Sequence, residues 1–274
     1  MADQHYENAI IETRLRVLTW NIWGQFGPWE QRRQAIETTL KTIDADVIAL
    51  QEVWSNETTN FAAELAAELG CHHVFEWSMD IEGIGIGNAL LSRWPIKRHD
   101  SVALHGLKET GEGRVTLFAE IDGPRGLIPM FSTHLNWKFE QSHVRQCQVT
   151  DLAHFVDSKR PWSFPPVVCG DFNTTPSSEE IRMLKGLTTC PVEDLFFYDA
   201  WSVGGGEGAG ITWDNTNPYV ANKMKPDRRL DYIFVGGPQA RGAGHIVECK
   251  VVGNEPVDSV WPSDHHAVLA ELRY

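Results

Sequence analysis

The chain is poor in cysteine, with five scattered through 274 residues and none in a C-x-x-C pair. That spacing excludes a disulfide framework and a finger-type zinc site. Cys169, which follows Val167 and Val168, is expected to be a small buried apolar residue. Any apolar run long enough to cross a bilayer is also missing, because the longest runs are strand-length and broken by polar residues. Met1 to Asn8 are mostly polar and include Asp3 and Glu7, so they lack the apolar stretch of a signal peptide, and the expected compartment is the cytoplasm. Basic charge is in deficit too: 24 Lys and Arg stand against 37 Asp and Glu, a net charge of −13. An acidic body repels polyanions, so nucleic acid is a disfavoured partner. A phosphate substrate stays open, because bound cations invert the local field and clustered carboxylates suit a hard cation.

What is present is an alternation of strand-like and helical patterns from end to end, without linker, repeat or low-complexity tract. Residues 1–13 are expected to form an N-terminal tail and residues 14–274 a single domain. Strands are expected at Leu15–Trp20, Val47–Leu50, Val74–Trp77, Ala89–Leu91, Val115–Ile121, Ile128–Phe131, Val167–Cys169, Leu230–Val235, His245–Val252 and His266–Leu272. Helical spacing of apolar residues predicts helices over Gln31–Ile43, Phe61–Leu69, Ser142–Val156 and Ser177–Leu184. Neighbours joined like hairpins are mixed with helical crossovers, which fits an α/β (α+β) fold of two packed mixed sheets with helices outside. Gly204 to Gly208 is expected to be a mobile surface loop near the site. The glycines of Gly83–Asn88 run into a strand and lack the third glycine of a dinucleotide loop.

Six strand candidates place a functional side chain in or beside an apolar run. Trp20 leads to Asn21, Leu50 through Gln51 to Glu52, and Phe131 through Ser132 and Thr133 to His134. Val167 to Gly170 leads to Asp171 and Asn173, Asp231 lies between Leu230 and Tyr232, and Asp264-His265 precedes the last strand. One polar residue at a strand end merely caps a turn. Six together supply carboxylates, amides and imidazoles that can bind a cation, move a proton or donate a hydrogen bond.

In their order, Trp20-Asn21, Leu50-Gln51-Glu52, Thr133-His134-Leu135, Gly170-Asp171-Phe172-Asn173, Leu230-Asp231-Tyr232-Ile233 and Ser263-Asp264-His265 resemble the endonuclease/exonuclease/phosphatase superfamily. The resemblance runs across nearly the whole chain. It implies a four-layer α/β sandwich, a Mg²⁺ ion for which Mn²⁺ or Ca²⁺ can substitute, and direct attack of water on phosphorus. Glu52 resembles the principal metal ligand, helped by Asn21 and Asp264, which suits an ion taking one or two carboxylates and several waters. His265 resembles the general base with Asp231 as its orienting carboxylate, while Asp171 is an alternative group to orient or deprotonate the water. Asn173 and His134 would donate to phosphate oxygens or the leaving group. His266 is expected to point away and to be structural.

The substrate is less determined. Lys223, Lys225, Arg228 and Arg229 form a local basic cluster just before Asp231 and are able to receive an anionic group, and Trp213 or Tyr219 to stack on a ring. Trp23, Trp29 and Trp54 are candidates for an apolar rim. Absent secreted-nuclease disulfides and a long apolar hairpin, the expectation is a monomer acting on a small or lipid-derived phosphoester, as phosphodiesterase or phosphatase. The rival readings are a nuclease, and a non-catalytic relative that binds a phosphorylated ligand in the same cleft.

Overall fold

Every second side chain of a strand faces the same way, and that period sorts this chain's apolar residues into three layers of core. In strand β1 (Arg14–Asn21), Leu15 and Val17 enter one core while Leu18 and Trp20 enter another. β2 (Val47–Ser55) splits likewise, with Val47 and Ala49 on the first side and Ile48 and Leu50 on the second. The computed structural model describes residues 9–274. The tail and signal-peptide readings of Met1–Asn8 lie outside those residues.

The remaining strands are β3 (His72–Ile81), β4 (Ile84–Ser92), β5 (Ile96–Ala103), β6 (Val115–Gly123), β7 (Gly126–His134), β8 (Val167–Asp171), β9 (Phe197–Asp199), β10 (Asp231–Gly236), β11 (Ile246–Val252) and β12 (Ala267–Arg273). They form two six-stranded sheets, in the orders β11-β12-β1-β2-β4-β3 and β5-β6-β7-β8-β10-β9. Among the described residues only the pairs β1–β2 and β7–β8 are parallel, so both sheets are mixed. The core between them joins Leu15, Val47 and Val268 of one sheet to Met130, Cys169 and Ile233 of the other. Helices α1 (Trp29–Ile43) and α2 (Phe61–Leu69) cover the outer face of the first sheet through Ile36, Leu40, Phe61 and Leu65. On the second sheet, α4 (Ser142–Asp157) and α5 (Glu179–Leu184) place Val149, Leu152, Ile181 and Leu184 against Phe131 and Phe234. Two short helices, α3 (Leu107–Thr110) and α6 (Ala200–Gly204), sit in connections. This is the four-layer sandwich that the sequence resemblance implies. No helix among the described residues is long and apolar enough to cross a membrane.

Several elements depart from expectation for identifiable reasons. β4 starts at Ile84, well before Ala89, because Gly85 and Gly87 belong to the strand and not to a loop. A Cβ on Gly87 would sit 2.0 Å from the Glu76 carbonyl oxygen, so β3 and β4 pair at this distance only with glycine there. β5 escapes the apolar pattern because Lys97 to Asp100 are all exposed on an edge strand. Residues Gly204 and Gly205 lie against β11, bridging Cys249 and approaching Ile246 and Glu248, and do not line the cleft. The expectation of a site loop at Gly204–Gly208 is therefore corrected.

Candidate active site

The same period of two that fills the central core also aims the functional groups. Asn21 continues the face of Leu15 and Val17, and Asp171 that of Val167 and Cys169. Asp231 continues the face of Ile233 and Val235, so each points between the sheets. The strands end together: Asn21, His134 and Asp171 are last in β1, β7 and β8, and Asp231 is first in β10. Register fixes them side by side, with Asp171 opposite His134 on one neighbour and Asp231 on the other. Asp264-His265 arrives just ahead of β12. Its loop is tied down by Ser263 Oγ donating to the Asn21 carbonyl (2.7 Å) and the Trp20 indole donating to the His265 carbonyl (2.9 Å). A cavity of about 510 Å³ opens here, lined among others by Glu52, His134, Asp171, Asn173, Asp264 and His265.

Two of these residues are held in left-handed backbone, Glu52 at φ 53° and Asn173 at φ 52°. Asparagine tolerates that region, whereas a glutamate there is strained. Glu52 sits at a bulge in β2, where the pairing with β4 slips between Leu50 and Val53, and the bulge turns its carboxylate toward Asn21. Behind Asp171, Gly170 has φ 155° and runs so close to β7 that a Cβ would meet the Thr133 oxygen at 2.0 Å. Glycine at that position lets His134 and Asp171 come together.

The site has two sides, joined by the Asn21 amide, which donates to Asp171 Oδ2 at 3.0 Å as well as to Glu52. On one, His265 Nδ1 lies 2.9 Å from Asp231 Oδ2, and its Nε2 lies 3.7 Å from Asp171 Oδ2. Burial opposes the imidazolium, but the charges of Asp231 and Asp171 and the bond to Asp231 outweigh it and push His265 up. Burial likewise pushes the Asp171 carboxyl up, offset in part by His265. The two carboxylates thus favour the charged form of the His265 ring. His134 is different: burial, then Arg114 and His265, hold it well below the usual histidine range. Its Nδ1 faces Arg114 Nη1 at 3.1 Å, and its Nε2 lies 3.0 Å from the Asn173 amide nitrogen and 3.5 Å from Asp171 Oδ2. A neutral imidazole held on both ring nitrogens is the result.

On the other side stand Glu52, Asn21 and Asp264. Burial first, and then the charge of Asp264, raise Glu52 above the usual carboxylate range. Its partner is the Asn21 amide at 3.1 Å. Asp264 Oδ1 is buried and has no hydrogen-bond partner among the described residues, and Oδ2 meets Lys223 Nζ at 3.1 Å. A half-buried and a buried carboxylate that repel each other, the latter with an orphaned oxygen, fit a divalent cation. Asp171, Asp231 and His265 also lie within 4.8 Å of one another. Their histidine is already committed to Asp231, so that group suits proton transfer better than metal binding.

Residues 18–265 match the Endonuclease/Exonuclease/phosphatase family. The chain belongs to this family. A Drosophila melanogaster protein named "Putative neutral sphingomyelinase" is 26% identical over 285 residues, covering 94% of this chain and 60% of the relative. The Schizosaccharomyces pombe inositol phosphosphingolipids phospholipase C is 27% identical over 260 residues, covering 80% and 59%. The chain therefore spans about 60% of the length of these relatives. Among solved structures, humanized D. rerio TDP2 superposes with a TM-score of 0.73 at 20% identity, covering 95% of this chain and 99% of the other. The human nocturnin catalytic domain with bound sulfate gives 0.72 at 20% identity, covering 96% and 95%. These likenesses establish the shared fold.

Within the family fold, the structure brings Glu52, His134, Asp171, Asn173, Asp264 and His265 to one cavity, and Asn21 and Asp231 hydrogen-bond to them from behind its lining. Trp213, Lys223, Lys225 and Arg228 line the same cavity. Arg229 does not. Its guanidinium makes a bidentate pair with Asp199 (2.9 and 2.8 Å), stacked over the Tyr232 ring. The substrate role expected for Arg229 is corrected to a structural one, since the sequence alone conceals its partner thirty residues upstream. Arg229→Met would leave the Asp199 carboxylate buried and unpaired, and should cost about 3–5 kcal/mol of stability. A denaturant midpoint equal to wild type would contradict this. Trp29 and Trp54 likewise leave the rim, packing edge to face at 5.4 Å in the helix-side core. Trp23 does line the cavity and packs on Tyr219 at 4.8 Å. His266 is buried beside Asp214 (3.3 Å) and is not part of the cavity lining.

Three supporting residues escaped sequence reasoning. Fully buried Arg32 donates to the carbonyls of Ile22, Trp23, Gly24, Phe26 and Pro262, pinning the loop after Asn21 to the one before Asp264. Its signal was a cation on the apolar face of α1, four residues before Ile36. Arg114 and Glu112 pair at 3.1 Å and hold His134, but nothing in their local sequence marks them.

Proposed function

We propose that the protein hydrolyses phosphoesters with a divalent metal, Mg²⁺ by the donor set, and that a His265–Asp231 pair activates the attacking water. The observation that carries this reading is His265 wedged between two buried carboxylates, across one cavity from the mutually repelling Glu52 and Asp264. Glu52 and Asp264, with Asn21, are the groups to hold the metal. Bound there, Mg²⁺ would draw charge from the phosphate and, as a dication, favour the neutral imidazole that a base requires.

His265 Nε2 then takes the proton of water, while Asp231 holds Nδ1–H and stabilises the imidazolium that forms. Asp171, near both His265 and His134, orients the water or shares its proton. His134 and the Asn173 amide are the neutral groups placed to meet the oxygens that gain charge. Asn173 Nδ2 is held between the Leu135 carbonyl and His134 Nε2, each at 3.0 Å, which fixes the amide and the ring relative to each other.

The substrate is a small or lipid-derived phosphoester. Net charge of −13 argues against long nucleic acid as partner, and retention of every carboxylate and the histidine argues against a non-catalytic binding protein. The test is a panel comprising a chromogenic diester, a monoester, sphingomyelin, inositol phosphates and single- and double-stranded DNA, each with Mg²⁺ and with chelator. Hydrolysis of a small or lipid phosphoester that stops in chelator and returns with Mg²⁺ is expected. Activity indifferent to chelator, or confined to DNA with affinity falling steeply in salt, would overturn the reading.

A further inference from the structure

One wall of the cavity alternates cations with aromatic rings. Lys223 Nζ lies 5.5 Å from the Trp213 ring, and Arg228 Cζ lies 5.0 Å from that ring and 4.4 Å from Phe139. Lys225 Nζ follows, 5.6 Å from Phe139 and 5.2 Å from Trp137. Their neutralisation is uneven. Lys223 has Asp264 as partner. Arg228 is only 8% exposed, its buried Nε has no hydrogen-bond partner, and neither it nor Lys225 forms an ion pair among the described residues. In a protein of net charge −13, a buried guanidinium without an ion-pair partner on the cavity wall is costly unless an anion visits it.

Resting on the phosphoesterase reading above, we propose that Arg228 and Lys225 form a second anion subsite. The substrate is accordingly a phosphoester that carries a further anionic group, not a neutral or quaternary-ammonium head. A substrate cation would need a free aromatic face. Here the faces of Trp213, Phe139 and Trp137 already carry protein cations. A planar guanidinium beside an ammonium instead suits a phosphate or carboxylate. The crowding is visible in Lys225 itself, held below the ordinary lysine value by burial and then by the charges of Arg228 and Lys223. The antiparallel bridge between Trp213 and Arg228 keeps the subsite in place beside the reacting groups.

The test compares two probes with one leaving group, a thymidine p-nitrophenyl phosphodiester with and without a second phosphate on its sugar. Wild type should prefer the doubly charged probe by about tenfold or more in kcat/KM, expressed mainly in KM, as expected for one charge-assisted contact. In Arg228→Met and in Lys225→Met that ratio should fall toward one. Lys225 is half-buried on a loop, so its variant reports even if Arg228→Met folds poorly. Equal use of the probes by wild type, or a preference that survives both substitutions, would overturn the subsite. If neither probe is hydrolysed, the phosphoesterase reading fails for diesters, and calorimetry with inorganic pyrophosphate in chelator decides the subsite separately. Binding by wild type that Lys225→Met loses would support it, and absence of binding would overturn it.

Discussion

His265→Ala is expected to lower turnover by about 10²–10⁴-fold, the usual contribution of a positioned general base. The imidazole bridges two buried carboxylates, through Nδ1 to Asp231 and through Nε2 toward Asp171. Removing it takes away the proton acceptor and also leaves Asp231 without its partner. Some loss of stability is therefore expected as well. His265→Gln separates the two effects, because its amide can still donate to Asp231 yet cannot accept a proton. Both variants should be slow, and the glutamine variant should melt closer to wild type. Near-normal turnover of either under saturating Mg²⁺ would remove His265 from the base role and leave Asp171 as the candidate.

Glu52→Gln should weaken Mg²⁺ binding on the order of 10–100-fold or more, read by calorimetric titration and by the Mg²⁺ dependence of turnover. The substitution keeps shape and removes charge, so it probes ligation and not packing. A second outcome follows from the sign of its shift. Glu52 is raised by burial and by Asp264, so ionised Glu52 destabilises the metal-free fold above its folded pKa, and that penalty vanishes below its unfolded pKa. At neutral pH the metal-free glutamine variant should accordingly melt at or above the wild-type temperature, while losing most of the stabilisation that added Mg²⁺ gives wild type. An unchanged metal titration would exclude Glu52 as principal ligand.

The residues that sequence reasoning reached share a property. Asn21, Asp171 and Asp231 each break an apolar strand on its inward face, so their burial and direction follow from a period of two. Glu52 was visible as a carboxylate at a strand end, but its bulge and left-handed backbone come from pairing with β4, a contact across distant sequence. Arg229 shows the converse error. In sequence it is one cation of a basic loop, and only folding discloses that Asp199 already neutralises it, whereas neighbouring Arg228 keeps no such partner. Arg114 was invisible because its meaning lies in His134, which it touches through the pairing of separate strands. Strand β5 was missed because an exposed edge leaves no apolar alternation to read.

In the proposed mechanism, groups from both sheets deliver one water straight to phosphorus. The stereochemical course at a chiral phosphorothioate diester, hydrolysed in isotopically labelled water with Mg²⁺, tests this most directly. Inversion at phosphorus is predicted, because a single in-line displacement by His265-activated water reverses the configuration once. Retention would mean two displacements through a covalent phosphoryl-enzyme, and would contradict the mechanism assigned to this cavity.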